Sequence, residues 1–177
     1  MFRCPSPQSP SRQSWCNMLR IHIVHVGTRK EKYLTDAVAE YEKRLGAYCA
    51  IDNISVREER LSDKPSQTEI TAAITREGER ILAALPPRAF NIALCVEGKQ
   101  MTSEAFSKKL TDIATEGFSD ICLIIGGSDG LSDEVKRSCR MRLSISEMTF
   151  PHQLMRVILL EQLYRAFNIA AGGKYHK

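Results

Sequence analysis

The apolar and polar residues of this chain follow two alternating periods. Short apolar segments, typical of β-strands, are separated by longer segments in which apolar residues recur every three or four positions, as on one face of a helix. Strands are predicted over residues 19–26, 51–56, 91–96, 121–125 and 141–145. Helices are predicted over residues 33–45, from 68 to the Pro86-Pro87 pair, from 102, near 132–139, and from Pro151 onwards. Strands that alternate with helices indicate an α/β domain with a mainly parallel sheet.

The loops that follow the strands are the predicted location of a ligand site. In open α/β sheets, ligands bind outside the carboxyl ends of the strands, where the strand order reverses. Four such loops carry glycine or polar residues, at positions 27–28, 97–99, 126–130 and 146–150. We therefore expect the chemistry at the carboxyl edge of the sheet, although the strand order does not follow from the pattern.

The loop at 126–130 reads Gly-Gly-Ser-Asp-Gly and comes directly after an apolar strand. Glycines there allow positive φ angles and let a ligand approach the backbone closely, but a plain tight turn has the same requirement. The loop matches neither G-x-G-x-x-G nor G-x-x-x-x-G-K-[ST], which are the common phosphate-binding fingerprints. The pattern therefore indicates a glycine turn without a dinucleotide or P-loop signature.

The last helix is apolar around most of its circumference. Its most apolar residues are Leu154, Val157, Ile158, Leu159, Leu160 and Leu163. A domain of this size rarely covers a helix completely, so we expect a second copy of the chain to cover part of it. Leu159 and Leu163 are predicted to lie in that contact or in the core beneath it. Arg156 and His152 are four residues apart and share a face, and both a functional and a structural role stay open for Arg156.

The chain ends in Lys174, Tyr175, His176 and Lys177. Cations, an aromatic ring and an imidazole are groups that hold phosphates, stack on bases and move protons. A frayed end is the alternative, because the last residues of a domain are often poorly ordered. Composition alone leaves both interpretations of this tail open.

Composition and charge narrow the class of protein. The chain has 177 residues, of which 43% are hydrophobic, and a formal net charge of +4, as expected for one globular domain with a mild basic bias. Its six cysteines show no C-x-x-C spacing and no metal-type pairing with histidine. This favours reduced thiols in a cytoplasmic protein. No segment reaches the roughly eighteen apolar residues that a membrane span needs.

The first seventeen residues differ from the rest of the chain. They are rich in serine and proline and lack the apolar segment of a secretory signal, and Met18 stands directly before the first predicted strand. We therefore expect residues 1–17 to form a disordered or loosely attached extension, and residues 18–177 to form the folded domain.

Three segments of the chain resemble one known family. IIGGSDGL, LSISEMTFPHQLMRVILLEQLYRAF and the terminal YHK are similar to motifs of ribosomal RNA large subunit methyltransferase H, a bacterial family of SPOUT-class pseudouridine N3-methyltransferases. The opening LRIHIVHVGTRK is also similar, so the resemblance covers residues 18–177. One departure is visible, because the family commonly has a proline directly before the Tyr-His pair, where this chain has Gly173-Lys174.

The resemblance implies an α/β knot fold, with a mainly parallel sheet of about five or six strands, helices on both faces and a trefoil knot near the carboxyl terminus. It also implies S-adenosylmethionine as the cofactor, without a metal. The implied partners are a second copy of the chain and 23S ribosomal RNA, in the helix 69 region of the assembled ribosome, and neither DNA nor a membrane. The implied cofactor-binding residues are Leu94, Gly126, Gly127, Ile145, Ser146, Glu147, Met148, Thr149 and Phe150.

The resemblance further implies three catalytic residues. The N3 imide of pseudouridine must lose a proton to attack a methyl group, so the site needs a proton acceptor and a cation beside the developing anion. Arg156 suits the cation, His176 the proton acceptor, and Tyr175 the positioning of the nucleobase. The residue pattern alone leaves two other functions open: a flavodoxin-like nucleotide binder, and a ribosome-associated binding protein without catalysis.

Overall fold

The computed structural model describes residues 19–27, 31–173 and 175 of the chain. In this part of the chain, five strands alternate with five helices. The strands are β1 (Arg20–Val26), β2 (Ala50–Val56), β3 (Phe90–Gln100), β4 (Asp120–Ile125) and β5 (Met141–Ser144). The helices are α1 (Lys32–Leu45), α2 (Gln67–Ala84), α3 (Ser103–Thr115), α4 (Asp133–Ser138) and α5 (His152–Ala170). All ten predicted elements are confirmed, and β3 continues four residues beyond its predicted end.

Local sequence signals explain where the helices begin. At α2, the Ser66 hydroxyl accepts a hydrogen bond from the backbone N–H of Glu69, and the Glu69 carboxylate accepts one from the backbone N–H of Ser66. This reciprocal capping satisfies two N–H groups that have no partner within the helix. Thr102 caps α3 and Ser132 caps α4 through single side-chain hydrogen bonds. Side-chain caps therefore fix the first residues of α2, α3 and α4.

The sheet is parallel throughout, with strand order β2-β1-β4-β3-β5. Ile23 of β1 lies beside Asn53 of β2 on one side and Leu123 of β4 on the other. Because β3, β4 and β5 are neighbours, the loops that follow them leave the sheet side by side at its carboxyl edge. The predicted α/β class is confirmed, and the strand order is the feature that brings these loops together.

Helices cover both faces of the sheet, as predicted. Helices α1, α3 and α5 pack together over one face, where Ile21 and Ile23 of β1 point. Helices α2 and α4 pack over the other face, where Val24 and Val26 point. Apolar residues therefore fill both sides of the strands, which is the usual condition of a parallel sheet. The trefoil knot stays a prediction.

The apolar residues of α5 serve mainly the core of the chain itself. Leu159 and Leu163 are completely buried against the sheet and the neighbouring helices. Of the two locations predicted for them, the core is the one found. Leu154 remains 37% exposed and Ile158 is partly exposed. If a second copy of the chain covers α5, it therefore meets the stripe that includes Leu154 and Ile158.

Three further expectations concern the first seventeen residues, a membrane span and the cysteines. Residues 1–17, the predicted extension, lie outside the described residues. Within the described ranges, no helix is long and apolar enough to cross a membrane. Four of the six cysteines are described, and all four are free thiols. Burial raises the pKa of the Cys122 thiol to about 12, so this group is a protonated part of the core.

Candidate functional site

A cavity of about 720 Å³ opens at the carboxyl edge of β3, β4 and β5. Its walls are the loops that leave these three strands, together with the first turn of α5. Eight of the nine residues predicted to bind a cofactor line it: Leu94, Gly126, Gly127, Ile145, Ser146, Met148, Thr149 and Phe150. Residues more than fifty positions apart in sequence thus meet at the edge of the sheet where a ligand was expected.

The ninth predicted residue, Glu147, is exposed and does not line the cavity. The loop around it is shaped by two serine hydroxyls. Ser144 Oγ donates to the carbonyl of Ser146 at 2.9 Å, and Ser146 Oγ accepts from the backbone N–H of Met148 at 3.0 Å. Such local side-chain bonds are typical of tight polar turns. They turn Ser146 towards the cavity and leave Glu147 at the tip of the turn.

The glycine turn at 126–130 closes on itself. The backbone N–H of Gly130 donates to the carbonyl of Gly127 at 3.1 Å, and Gly130 has a φ of 89°. A β-carbon on Gly126 would lie 2.4 Å from the carbonyl oxygen of Gly130, so glycine is required there for the turn to form. A β-carbon on Gly127 would meet Glu77 and Val26, beneath the turn. The packing of Glu77 and Val26 behind the turn therefore also disfavours a side chain at position 127.

Strand β3 supplies lining residues that the sequence pattern did not assign. Leu143 of β5 pairs with both Leu94 and Lys99, so residues 95–98 leave the regular ladder between these two pairings. Gly98 makes this path feasible, because a β-carbon there would lie 2.5 Å from the backbone carbon of Leu143. Cys95, Val96 and Glu97 consequently line the cavity. The Glu97-Gly98-Lys99 segment was one of the predicted loops, but its return into the sheet was not predicted.

The charged groups of the cavity wall are few. Lys136 of α4 forms an ion pair with Glu97, with 2.5 Å between Nζ and Oε1, and this pairing lowers the pKa of Glu97. Burial, followed by the nearby Glu97 charge, raises the pKa of the Cys95 thiol. Asp129 of the glycine turn adds a further carboxylate. Most of the other lining is apolar or backbone, which suits an organic ligand with a large uncharged part.

Arg156, predicted to be catalytic, is held in a buried polar network and does not line the cavity. Its side chain donates to His25 Nε2 at 2.9 Å and to Asn53 Oδ1 at 2.5 Å, and it lies 3.5 Å from a carboxylate oxygen of Glu42. These partners come from β1, β2 and α1. His152, which was predicted to share its face, lines the cavity instead.

Tyr175, the second predicted catalytic residue, packs against the far end of α5. Its backbone N–H donates to Asn168 at 3.1 Å, and its carbonyl accepts from Arg165 at 2.8 Å. The ring lies against Tyr164 and beneath the Arg165 guanidinium, with a distance of 4.8 Å from the guanidinium carbon to the ring centroid. The main chain of Tyr175 is therefore fixed. The third predicted residue, His176, lies outside the described residues.

Glu161 and Arg165, four residues apart on α5, form an ion pair with 2.5 Å between Oε1 and Nη2. Arg165 uses its remaining guanidinium nitrogen to hold the carbonyl of Tyr175. The pair therefore links α5 to the carboxyl-terminal tail.

Comparison with known proteins identifies the family. The family model described as predicted SPOUT methyltransferase matches residues 19–176. The chain is 46% identical over 159 residues to ribosomal RNA large subunit methyltransferase H of Streptococcus suis, and 48% identical over 159 residues to that of Streptococcus thermophilus strain LMG 18311. Each alignment covers 90% of this chain and all of the relative. The chain belongs to the ribosomal RNA large subunit methyltransferase H family.

Solved structures of two probable methyltransferases share its fold at low sequence identity. A probable methyltransferase from Bordetella pertussis is 12% identical with a TM-score of 0.54, and the match covers 90% of this chain and 99% of that one. A probable methylase family protein from Haemophilus influenzae is 13% identical with a TM-score of 0.51, covering 92% of this chain and 71% of that one. At such identities the likeness concerns the fold.

Membership in the methyltransferase H family agrees with the resemblance drawn from the residues. The segments that carry that resemblance, the glycine turn and the loop before α5, form two walls of the cavity. The third wall comes from β3, which lies between β4 and β5 in the sheet. Family membership and the position of the cavity thus point to the same edge of the molecule.

Proposed function

We propose that this protein transfers a methyl group from S-adenosylmethionine to N3 of a pseudouridine in 23S ribosomal RNA, in the helix 69 region of the assembled ribosome. The observation that carries the proposal is the cavity at the carboxyl edge of β3, β4 and β5. Relatives that are 46% to 48% identical over their whole length are named as methyltransferases of large-subunit ribosomal RNA. The protein would act in the cytoplasm, where ribosomes are found.

The cavity fits the chemistry of the proposed cofactor. A volume of about 720 Å³ lies in the range of small-molecule sites, roughly 300 to 1,000 Å³. Leu94, Ile145 and Phe150 offer apolar surface and backbone groups to an adenine ring. The cofactor has no phosphate, in agreement with a glycine turn that lacks a phosphate-binding fingerprint. When bound, S-adenosylmethionine supplies an electrophilic methyl group on a positively charged sulfur.

The protein's own residues would prepare the acceptor. The imide proton of pseudouridine is present at neutral pH and must be removed as N3 attacks the methyl group. His176 is proposed to accept this proton, Tyr175 to position the nucleobase, and Arg156 to stabilise the negative charge that develops on the ring. Alignment of the two reactants in a closed site would provide most of the remaining rate enhancement.

Within one chain Tyr175 lies away from the cavity, and this argues for a homodimer. Tyr175 packs beside Tyr164, which follows the cavity residue Met155 by nine positions and lies roughly 14 Å further along α5. We propose that the tail of a second copy completes the cavity. The exposed apolar side chain of Leu154 and the partly exposed Ile158 on α5 would form part of the contact between copies.

Arg156 has a structural role that competes with the proposed catalytic one. Arg156 is only 3% exposed, and its guanidinium is bound by Glu42, Asn53 and His25. Removal of one member of a buried ion pair typically costs about 3 to 5 kcal/mol of stability. If Arg156 serves the network, Arg156→Ala should lower the unfolding free energy by that amount. If it acts on the anion, turnover should fall much further than the folded fraction.

The test is transfer of a tritium-labelled methyl group from S-adenosylmethionine to ribosomes that lack the modification. Ribosomes that carry uridine instead of pseudouridine are the matched control, since the proposed acceptor N3 then belongs to a different nucleoside. Label incorporated into 23S RNA from the first ribosomes and much less from the second is expected. Equal labelling would contradict the pseudouridine assignment. Binding of ribosomes without any methyl transfer would favour the ribosome-associated protein without catalysis.

The charge of the chain agrees with a structured RNA substrate. A net charge of +4 provides little of the non-specific attraction that holds strongly basic proteins to free RNA. Recognition of RNA that the assembled ribosome presents in a fixed shape needs less of this attraction. Free 23S RNA should therefore be a poorer substrate than intact ribosomes in the same assay.

A further inference from the structure

A buried carboxylate lies directly behind the glycine turn of the cavity. Glu77, in the middle of α2, is 8% exposed. Its Oε1 accepts a hydrogen bond from the backbone N–H of Glu59 at 2.8 Å. Its Oε2 lies 3.0 Å from the position that a β-carbon of Gly127 would occupy. Helix α2 lies close to Ser132 at this point, because a β-carbon on the adjacent Gly78 would lie 2.3 Å from the Ser132 hydroxyl oxygen. The carboxylate is therefore fixed against the back of the turn.

The surroundings of Glu77 are negatively charged. Glu58 and Glu59, from the connection after β2, and Asp129, from the glycine turn, line a space of about 220 Å³ together with Glu77. Glu59 is paired with Arg76 and Arg80 of α2, and these two cations are not paired with Glu77. Burial, assisted by Glu58, Glu59 and Asp129, raises the pKa of Glu77.

This second space and the cavity share one thin wall. Ser128 and Asp129 of the glycine turn line both of them. On the cavity side, the charge of Lys136 is already matched by Glu97. The carboxylates of Asp129 and Glu77 therefore make the electrostatic potential at this wall of the cavity more negative. A cation bound in the cavity would stabilise the ionised form of Glu77, whose charge is poorly compensated in the chain alone.

We propose that Glu77 is a specificity-determining residue, which favours the positively charged S-adenosylmethionine over its neutral-sulfur product, S-adenosylhomocysteine. The inference rests on the proposed function. The two compounds differ by a methyl group and one positive charge, because the sulfur keeps the electron pair of the broken S–C bond when the methyl group leaves. A carboxylate behind the turn attracts the first compound and has no corresponding charge to attract in the second. Preference for the substrate form would promote release of the product.

The size of the effect follows from Coulomb's law. For two unit charges roughly 8 to 10 Å apart, at an effective dielectric constant of about 40 to 80, removal of one charge changes affinity about two- to sixfold. The affinity for S-adenosylhomocysteine should change much less. A purely structural role of Glu77 would instead alter both affinities in parallel, because the two compounds share the adenosine and amino-acid parts.

Calorimetric titration of each compound into the wild-type protein, Glu77→Gln and Glu79→Gln tests the inference. Glutamine keeps an oxygen for the N–H of Glu59 and removes the charge. Glu79 is exposed on the same helix, so Glu79→Gln is the matched control for loss of one carboxylate. We expect the ratio of the two dissociation constants to fall about two- to sixfold in Glu77→Gln and to stay constant in the control.

The outcomes separate this inference from the proposed function. A wild-type protein that binds neither compound contradicts the proposed cofactor. Binding of both with an unchanged ratio in Glu77→Gln overturns the role of Glu77. If Glu77→Gln does not fold, the two dissociation constants of the wild-type protein decide the question. Tighter binding of S-adenosylmethionine than of S-adenosylhomocysteine supports the inference, and equal or weaker binding overturns it.

Discussion

Replacing Gly126 with alanine should disable the cofactor site while most of the fold survives. The added β-carbon would lie 2.4 Å from the carbonyl oxygen of Gly130 and 2.5 Å from its carbonyl carbon. Both atoms belong to the backbone, so no side chain can move aside. Non-bonded heavy atoms normally lie about 3.5 Å apart, and the turn must therefore open by about 1 Å.

The energy of this overlap sets the expected loss of affinity. Overpacking of a tight site typically costs about 1 to 3 kcal/mol. If the turn relieves the overlap by leaving its binding conformation, the free energy of that conformation rises by the same amount and its population falls accordingly. The affinity for S-adenosylmethionine should then fall by about 5- to 150-fold. Stability should fall by no more than the full strain, about 3 kcal/mol, because the clash is confined to one turn.

Calorimetry with S-adenosylmethionine and urea unfolding measure the two quantities on the same protein. Gly46→Ala is the matched control, because it adds the same methyl group at a φ of −57° with its nearest contact at 3.4 Å. The control should leave the dissociation constant unchanged and raise the unfolding free energy by no more than about 1 kcal/mol. An unchanged dissociation constant in folded Gly126→Ala would remove this turn from the cofactor site and refute the steric argument.

Three further predictions concern assembly, catalysis and pH. Leu154 is exposed, so Leu154→Glu should give a monomer by sedimentation with reduced methyl transfer. Leu159 is in the core, so Leu159→Glu should instead lower the unfolding free energy severely. A folded, fully active monomeric wild-type protein would contradict the dimer. His176→Ala should bind S-adenosylmethionine normally and lose about 100- to 10,000-fold in turnover on ribosomes, and near-normal turnover would show that solvent accepts the proton. Asp120→Asn should cost about 1 kcal/mol at pH 7, measured by urea unfolding, because the carboxylate accepts a 2.8 Å hydrogen bond from His22. Since that bond lowers the pKa of Asp120, its contribution is present above the ordinary aspartate pKa and is lost as the pH falls through the lowered value, so the two proteins should become equally stable in acid.

The sequence by itself determined the elements and the edge of the sheet that carries the site. Periodicity and helix-breaking residues such as the Pro86-Pro87 pair act over a few positions, so they predicted where strands and helices lie. Once strands alternate with helices, the crossovers make the strands parallel and place their carboxyl ends at one edge. This is why the 126–130 and 146–150 loops could be assigned to a common site before any contact was known.

Contacts between distant residues decided the rest. The strand order and the return of β3 to the ladder at Lys99 depend on which strands pair, since Leu143 pairs with two positions of β3. Arg156 finds His25 at a separation of 131 positions. The carboxylate of Glu77 reaches the glycine turn fifty residues further along the chain. In each case many residues with a similar local pattern could have been the partner. Only the packing of the whole domain makes one of these arrangements lowest in free energy.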